Sequence, residues 1–305
     1  MLLKHHQGAG FALSSALLFG SSTPLSKALV GDIHPVLLAA VLYLSSGLGL
    51  LMLKFGQMLF LKGRRSATPS LGVSGSLWLG GAILSGGVIA PILLMIGLTQ
   101  TPGSTASLLL NMEGVLTALL AWLVFGEDFN RRMALGMASI VAGAAILSWQ
   151  GEPSFTTLLG PLLVVAACFA WAIDNNLTRK VSSSDPVTVA MLKGLVAGSF
   201  NLCVALSIGA IKADPRAIGA ASLVGFINYG ISNVLFVLAL RELGTARTAV
   251  YYSTAPFFGA LIALVVLQET VTASFVAAAI LMSLGVFLHL TERPPSSGRR
   301  SSHDG

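Results

Sequence analysis

The chain has 305 residues, 54% of them hydrophobic and only 10% charged, with a mean hydropathy of +0.83 and a net charge of +6. A soluble domain keeps roughly a quarter of its residues charged, so this chain cannot coat a water-facing surface and its solvent is largely lipid. The positive balance does not point to nucleic acid, because the basic residues sit at the ends of apolar stretches and not on one face.

A helix needs about 20 apolar residues to cross the hydrocarbon core. Ten stretches approach or exceed that length: 11–29, 35–53, 75–98, 104–125, 133–149, 157–177, 186–210, 217–239, 246–267 and 271–290. The expected fold class is an all-α integral membrane protein with ten transmembrane helices. Continuous apolar runs such as 116–125 do not alternate in polarity, which argues against a β-barrel. Lys4 and the apolar run after it have the look of a leader peptide, but the run reaches span length and nine more follow, so it is read as the first span. Gly80, Gly81, Gly86, Gly87 and Pro91 predict a closely packed, bent third span. Cys168 and Cys203 fall inside spans and are expected to act as small apolar side chains. The tail 291–305 is rich in Pro, Ser and Arg and is expected to be disordered.

Ten spans put both termini on one side. With that side as the cytoplasm, fourteen of the 18 Lys and Arg residues lie at inner ends and loops. Lys27, Lys212 and Arg216 lie outside, and Lys193 lies within a span. The positive-inside rule therefore predicts cytoplasmic termini for a multi-pass protein of the inner (plasma) membrane.

The second half of the chain echoes the first. At a shift of 142 residues, Val124, Glu127 and Gly143 land on Val266, Glu269 and Gly285 without a gap. At a shift of 152, Phe19, Gly20 and Lys27 match Trp171, Ala172 and Arg179. This divides the chain into a first unit, 9–150, a second, 157–290, and the basic cytoplasmic tail, 291–305. Five spans is an odd number, so the second unit enters the membrane inverted. Inverted repeats recur in secondary transporters, where two exchanged half-conformations give alternating access to a central site.

The run from Ser107 through Asn111, Met112, Glu113 and Gly114 to Gly126 and Glu127 resembles the fourth span of the EamA family, within the drug/metabolite transporter superfamily. Ala255, Pro256, Phe257, Phe258 and Gly259, continuing to Gln268 and Glu269, resemble the matching span of a second EamA unit. Leu18-Phe19-Gly20-Ser21-Ser22 is similar to the family's opening turn, with Phe19 where Trp is common. The resemblance covers roughly 11–290. It implies ten helices in two inverted five-helix units, an inner-membrane location, and export or exchange of small metabolites such as amino acids or nucleotide sugars. Two positions depart from the pattern. Gly114 stands where Pro is frequent. Leu42 and Tyr43 stand where an Arg is frequent, whereas Lys193 holds the matching place in the second unit.

Charges inside hydrocarbon cost about 2.5–3.5 kcal/mol each on insertion scales, so they persist where they face a cavity or a partner. Glu113 lies roughly 14 Å into the fourth span at 1.5 Å per residue, near mid-bilayer, flanked by Asn111 and with Thr117 on its face. It is a candidate substrate or proton site; the alternative is a neutral structural glutamate. Asp174 and Lys193 fall at similar depth on consecutive helices and are expected to pair, with Asn175 and Asn176 adding polar contacts. That pair is either a lock between two helices or part of the substrate site. Lys27 either snorkels to the headgroups or forms an outer gate. Tyr252 and Ser253 occupy the region matching Asn111 and Glu113 and either line the cavity or pack. Glu127 and Glu269 are expected to make helix-end contacts.

No metal-ligand spacing and no Walker loop occurs, so no metal, cofactor or ATP is expected. The expected partners are a small-molecule substrate and the lipid bilayer, with the chain a monomer or weak homodimer. A secondary transporter exporting a small polar metabolite, with proton exchange, fits these features. A passive facilitator or channel is the alternative. An intramembrane enzyme would need clustered catalytic groups near one interface, which Glu113, Asp174 and Lys193 do not supply.

Overall fold

A computed structural model describes residues 2–60, 73–126, 130–149, 155–178 and 185–290. The described residues form helices and no strands, grouped into ten rods. The first two are α1 (Leu2–Leu29) and α2 (Pro35–Phe60). The third is α3 (Val73–Ala82), a π-helical turn over Ile83–Ile89, and α4 (Ala90–Gln100). The fourth is α5 (Gly103–Leu109) and α6 (Met112–Phe125), broken at Leu110 and Asn111. Three unbroken rods follow, α7 (Arg131–Ser148), α8 (Phe155–Thr178) and α9 (Pro186–Ser207). The eighth is α10 (Pro215–Val224), a second π turn over Gly225–Ile231, and α11 (Ser232–Leu243). The ninth is α12 (Thr245–Tyr252) and α13 (Ala255–Val266), broken at Ser253 and Thr254, and the tenth is α14 (Ala273–Leu290).

Among the described residues, eight helices are long and apolar enough to cross a membrane, and Ala273–Leu288 is a shorter apolar helix. The first rod is long but interspersed with Gly, Ser, Thr and His. Large apolar side chains face outward throughout, with Met52 and Leu77 each 74% exposed, as expected where lipid replaces water. Glu127 and the tail 291–305 lie outside the described residues.

In lipid, helices associate through close packing of small residues. Gly47 of α2 and Gly194 of α9 meet backbone to backbone: a Cβ on Gly194 would come within 2.8 Å of Gly47 Cα. The tenth rod crosses α7 at Gly143 and Gly285, the pair that the 142-residue shift superimposes. A Cβ on Gly285 would lie 2.6 Å from the Gly136 carbonyl oxygen, and one on Gly143 would lie 2.7 Å from Met282 Cγ.

The repeat governs irregularities as well as helices. The π turns Ile83–Ile89 and Gly225–Ile231 are 142 residues apart at both ends. The breaks in the fourth and ninth rods nearly coincide under the same shift. So do the two left-handed residues that end those rods, Gly126 (φ 66) and Gln268 (φ 53). The third rod is therefore not merely bent by its glycines and proline. Its π turn frees backbone carbonyls that side chains must satisfy. Tyr43 Oη and Trp171 Nε1 both donate to Gly86 O (3.0 and 2.9 Å), and Asn201 Nδ2 donates to Gly87 O (3.0 Å).

Candidate functional site

The breaks in the fourth and ninth rods face one cavity of about 590 Å³, within the range of small-molecule sites. Its walls come in repeat-related pairs. Ser107 and Ala249, Leu110 and Tyr252, Asn111 and Ser253, Glu113 and Ala255, and Gly114 and Pro256 are each 142 residues apart and all line it. Phe19 with Trp171, and Thr23 with Asn175, do the same at 152. The cavity thus lies where the two halves meet.

Glu113 sits in the first turn of α6, where the helix N-terminus favours negative charge. Asn175 of α8 holds it: Nδ2 donates to Glu113 Oε1 (2.8 Å) and to Thr117 Oγ1 (3.3 Å). Asn176 Nδ2 donates to the Thr117 carbonyl (3.2 Å) and to Ala172 O (2.9 Å), fixing α8 against α6. Asn111 Nδ2 donates to Leu108 O (2.9 Å) across the break. On the other wall the Tyr252 ring makes tilted contacts with Phe19 (centroids 5.6 Å) and Phe236 (4.7 Å). Ser253 donates to Val250 O (2.7 Å).

Asp174 and Lys193 stand outside this lining. Lys193 Nζ donates to Asp174 Oδ1 (2.5 Å) and Thr178 Oγ1 (2.8 Å), and Thr178 donates to Asp174 Oδ1 (2.8 Å). Asp174 packs against Gly86 of the π turn, where a Cβ would strike its carboxylate. The triad joins α8 to α9 behind the cavity wall. Lys27 also lies away from the lining, with Nζ donating to Leu98 O at the end of α4 (2.5 Å). At that same end of the bundle Glu269 accepts from Gly103 N (2.6 Å) and Ser104 N (2.8 Å), clasping the first turn of α5. Ser26, Thr101 and Ser104 are buried there. Toward the opposite end the lining descends to Trp122 and Met133, close to where α6 ends and α7 begins.

At that opposite end, outside the membrane-spanning part, Asp185 caps α9. Partial burial works against its charge, but bonds from Thr188 N (3.2 Å) and Oγ1 (2.5 Å), with Lys54 at 3.6 Å, hold its carboxyl below the usual range. Among the described residues no three His, Cys, Asp or Glu side chains cluster as a metal site.

Sequence reasoning did not assign Phe19, Trp171 or Phe236 to the site. The signal for the first two was present: they superimpose in the 152-residue shift.

A bundle of apolar helices with broken rods around a central cavity defines a multi-pass membrane transporter. The chain belongs to the EamA-like transporter family, whose model matches residues 6–149 and 158–291. A protein described as an uncharacterized transporter of Methanothermobacter thermautotrophicus is 29% identical over 90% of this chain and 84% of its own length. A probable amino-acid metabolite efflux pump of Salmonella typhimurium is 29% identical over 62% of this chain and 68% of its own. One of the same description from Escherichia coli is 24% identical over 62% and 68%. A crystal structure aligned over 95% of this chain and 99% of its own has a TM-score of 0.67 at 17% identity, a likeness of fold.

Proposed function

We propose that the protein is an exporter of a small polar metabolite, an amino acid or similar compound, acting by alternating access in the inner membrane. Residues 9–150 and 157–290 serve as the two inverted units, with both termini cytoplasmic and one chain sufficient to hold the path. The observation that carries this reading is Glu113, a carboxyl held by Asn175 in a cavity built from matching residues of both halves. The efflux-pump relatives support the direction. Glu113 is the ionisable carboxyl of the lining and the group that exchanges protons for substrate. In this conformation the contacts of Glu269 and Lys27 close the outer end, and the cavity reaches toward the cytoplasm. Asp174 and Lys193 hold α8 and α9 together and act on transport through that packing.

The test is counterflow in proteoliposomes loaded with a panel of amino acids and small metabolites. Wild type is expected to exchange saturably, and Glu113→Gln to lose exchange and its response to a proton gradient. Full exchange by Glu113→Gln with unchanged pH dependence defeats the assignment. Flux without acceleration by substrate on the far side would make the protein a passive facilitator.

A further inference from the structure

The donors and acceptors of the cavity are unequally spent. Asn175 commits Nδ2 to Glu113 and Thr117, and Asn111 commits Nδ2 to Leu108 O and to Met282 Sδ (3.9 Å). Each retains its Oδ1 as an acceptor. Trp171 donates to Gly86 O, Ser107 to Gly103 O (2.7 Å) and Ser253 to Val250 O. Backbone donors at the breaks are engaged too: Asn111 N to Leu108 O (3.1 Å), Glu113 N to Leu110 O (3.0 Å), Thr254 N to Tyr251 O (3.2 Å) and Phe257 N to Thr254 O (3.1 Å). Pro256 has no N–H to offer. Half-helix ends that would otherwise receive a carboxylate are therefore largely occupied.

The charge balance points the same way. Among the described residues the lining contains Glu113 and no Lys, Arg or His. Lys193 is bound to Asp174 and Thr178, and Lys27 to Leu98 O. Arg131, Arg132, Arg241 and Arg247 are exposed near rod ends, where water and salt screen them. The same cavity is lined by an aromatic cluster of Phe19, Tyr252 and Phe236. A carboxylate with spare acceptors on one side and π faces on the other suits a cation bearing an apolar body.

We propose that the compound carried is an organic amine or ammonium ion with an apolar or aromatic body, its nitrogen on Glu113 and its body against Phe19, Tyr252 and Phe236. This rests on the reading of the cavity as the transport site, and in place of a zwitterionic amino acid it sets a compound whose net charge at the site is positive.

Three probes of similar size separate the classes: phenethylamine, 3-phenylpropionate and phenylalanine. Equilibrium binding to the purified full chain ranks them, and counterflow reports whether a bound probe moves. Phenethylamine is expected to bind in preference to the other two. Glu113→Gln is expected to weaken it about 10- to 100-fold, and Phe236→Leu about 2- to 10-fold. No binding of the amine, tighter binding of either other probe, or undiminished amine binding by Glu113→Gln overturns the inference. If Glu113→Gln does not fold, Phe236→Leu decides, and no loss there overturns it. Phenylalanine that binds better and exchanges would end the cation assignment and leave the transporter reading intact. Amine that binds through Glu113 but never exchanges would overturn the inference too, because the compound carried must move.

Discussion

At the broken fourth rod stand Asn111, Glu113 and Gly114; at the corresponding place in the ninth stand Ser253, Ala255 and Pro256. Both sets line the cavity, and both rods break at nearly the same step. Only the first carries a charge. The converse holds behind the wall, where Lys193 of α9 pairs with Asp174, whereas the matching part of α2 offers Leu42 and Tyr43. The two halves share a frame and differ in chemistry: the first holds the acid that lines the cavity, and the second holds its charged pair out of the lining.

The largest loss that would sharpen this contrast is Lys193→Met. It leaves Asp174 buried without its cation and is expected to cost about 3–5 kcal/mol, read as thermal unfolding in detergent. Adding Asp174→Asn should recover most of that, because the stranded charge is gone. Next come the glycines of the α7–α14 crossing. Gly285→Ala drives a methyl onto the Gly136 carbonyl, which cannot step aside, and should cost about 1–3 kcal/mol. Gly143→Ala meets the flexible Met282 side chain foremost and should cost less, so equal losses would break the distinction. The left-handed pair is a smaller test. Gly126→Ala is expected to lose about 1–2 kcal/mol, while Gln268→Gly, which removes a side chain from that conformation, should raise the midpoint slightly. The smallest effect belongs to Asp185. Its folded carboxyl titrates below the ordinary 3.8, so its contribution is present above that pH and fades as pH falls through the lower folded value. Asp185→Asn should flatten that acid limb and change neutral stability by less than about 1 kcal/mol.

The all-helical membrane class, the repeat and the place of Glu113 in the cavity wall were legible because each leaves a linear trace: run length, a fixed offset, and a charge where charge is costly. Pairing of Asp174 with Lys193 was also legible, from their depths on consecutive helices. Their exclusion from the lining was not, since rotation about a rod depends on what packs beside it, and here that is Gly86 of a π turn. The π turns left no trace in apolar periodicity, because a helix greasy on every side has no stripe whose phase could slip. Phe236 was hidden for a like reason, since an aromatic residue in an apolar chain looks like ordinary packing until facing rods are known, whereas Phe19 and Trp171 left a trace only as a matched pair in the repeat.

An i→i+5 hydrogen bond encloses one residue more than the α-helical i→i+4 bond, so each π turn amounts to a single surplus residue within a helix. Both halves carry that surplus at the same offset, although the side chains around it differ: Ile83–Ile89 is secured by Tyr43, Trp171 and Asn201, whereas in Gly225–Ile231 it is Asn228 that reaches out to Leu18 O (2.7 Å). The surplus therefore sets the same rotational offset, about 100° for one residue at 3.6 per turn, between the two ends of the third rod and of the eighth.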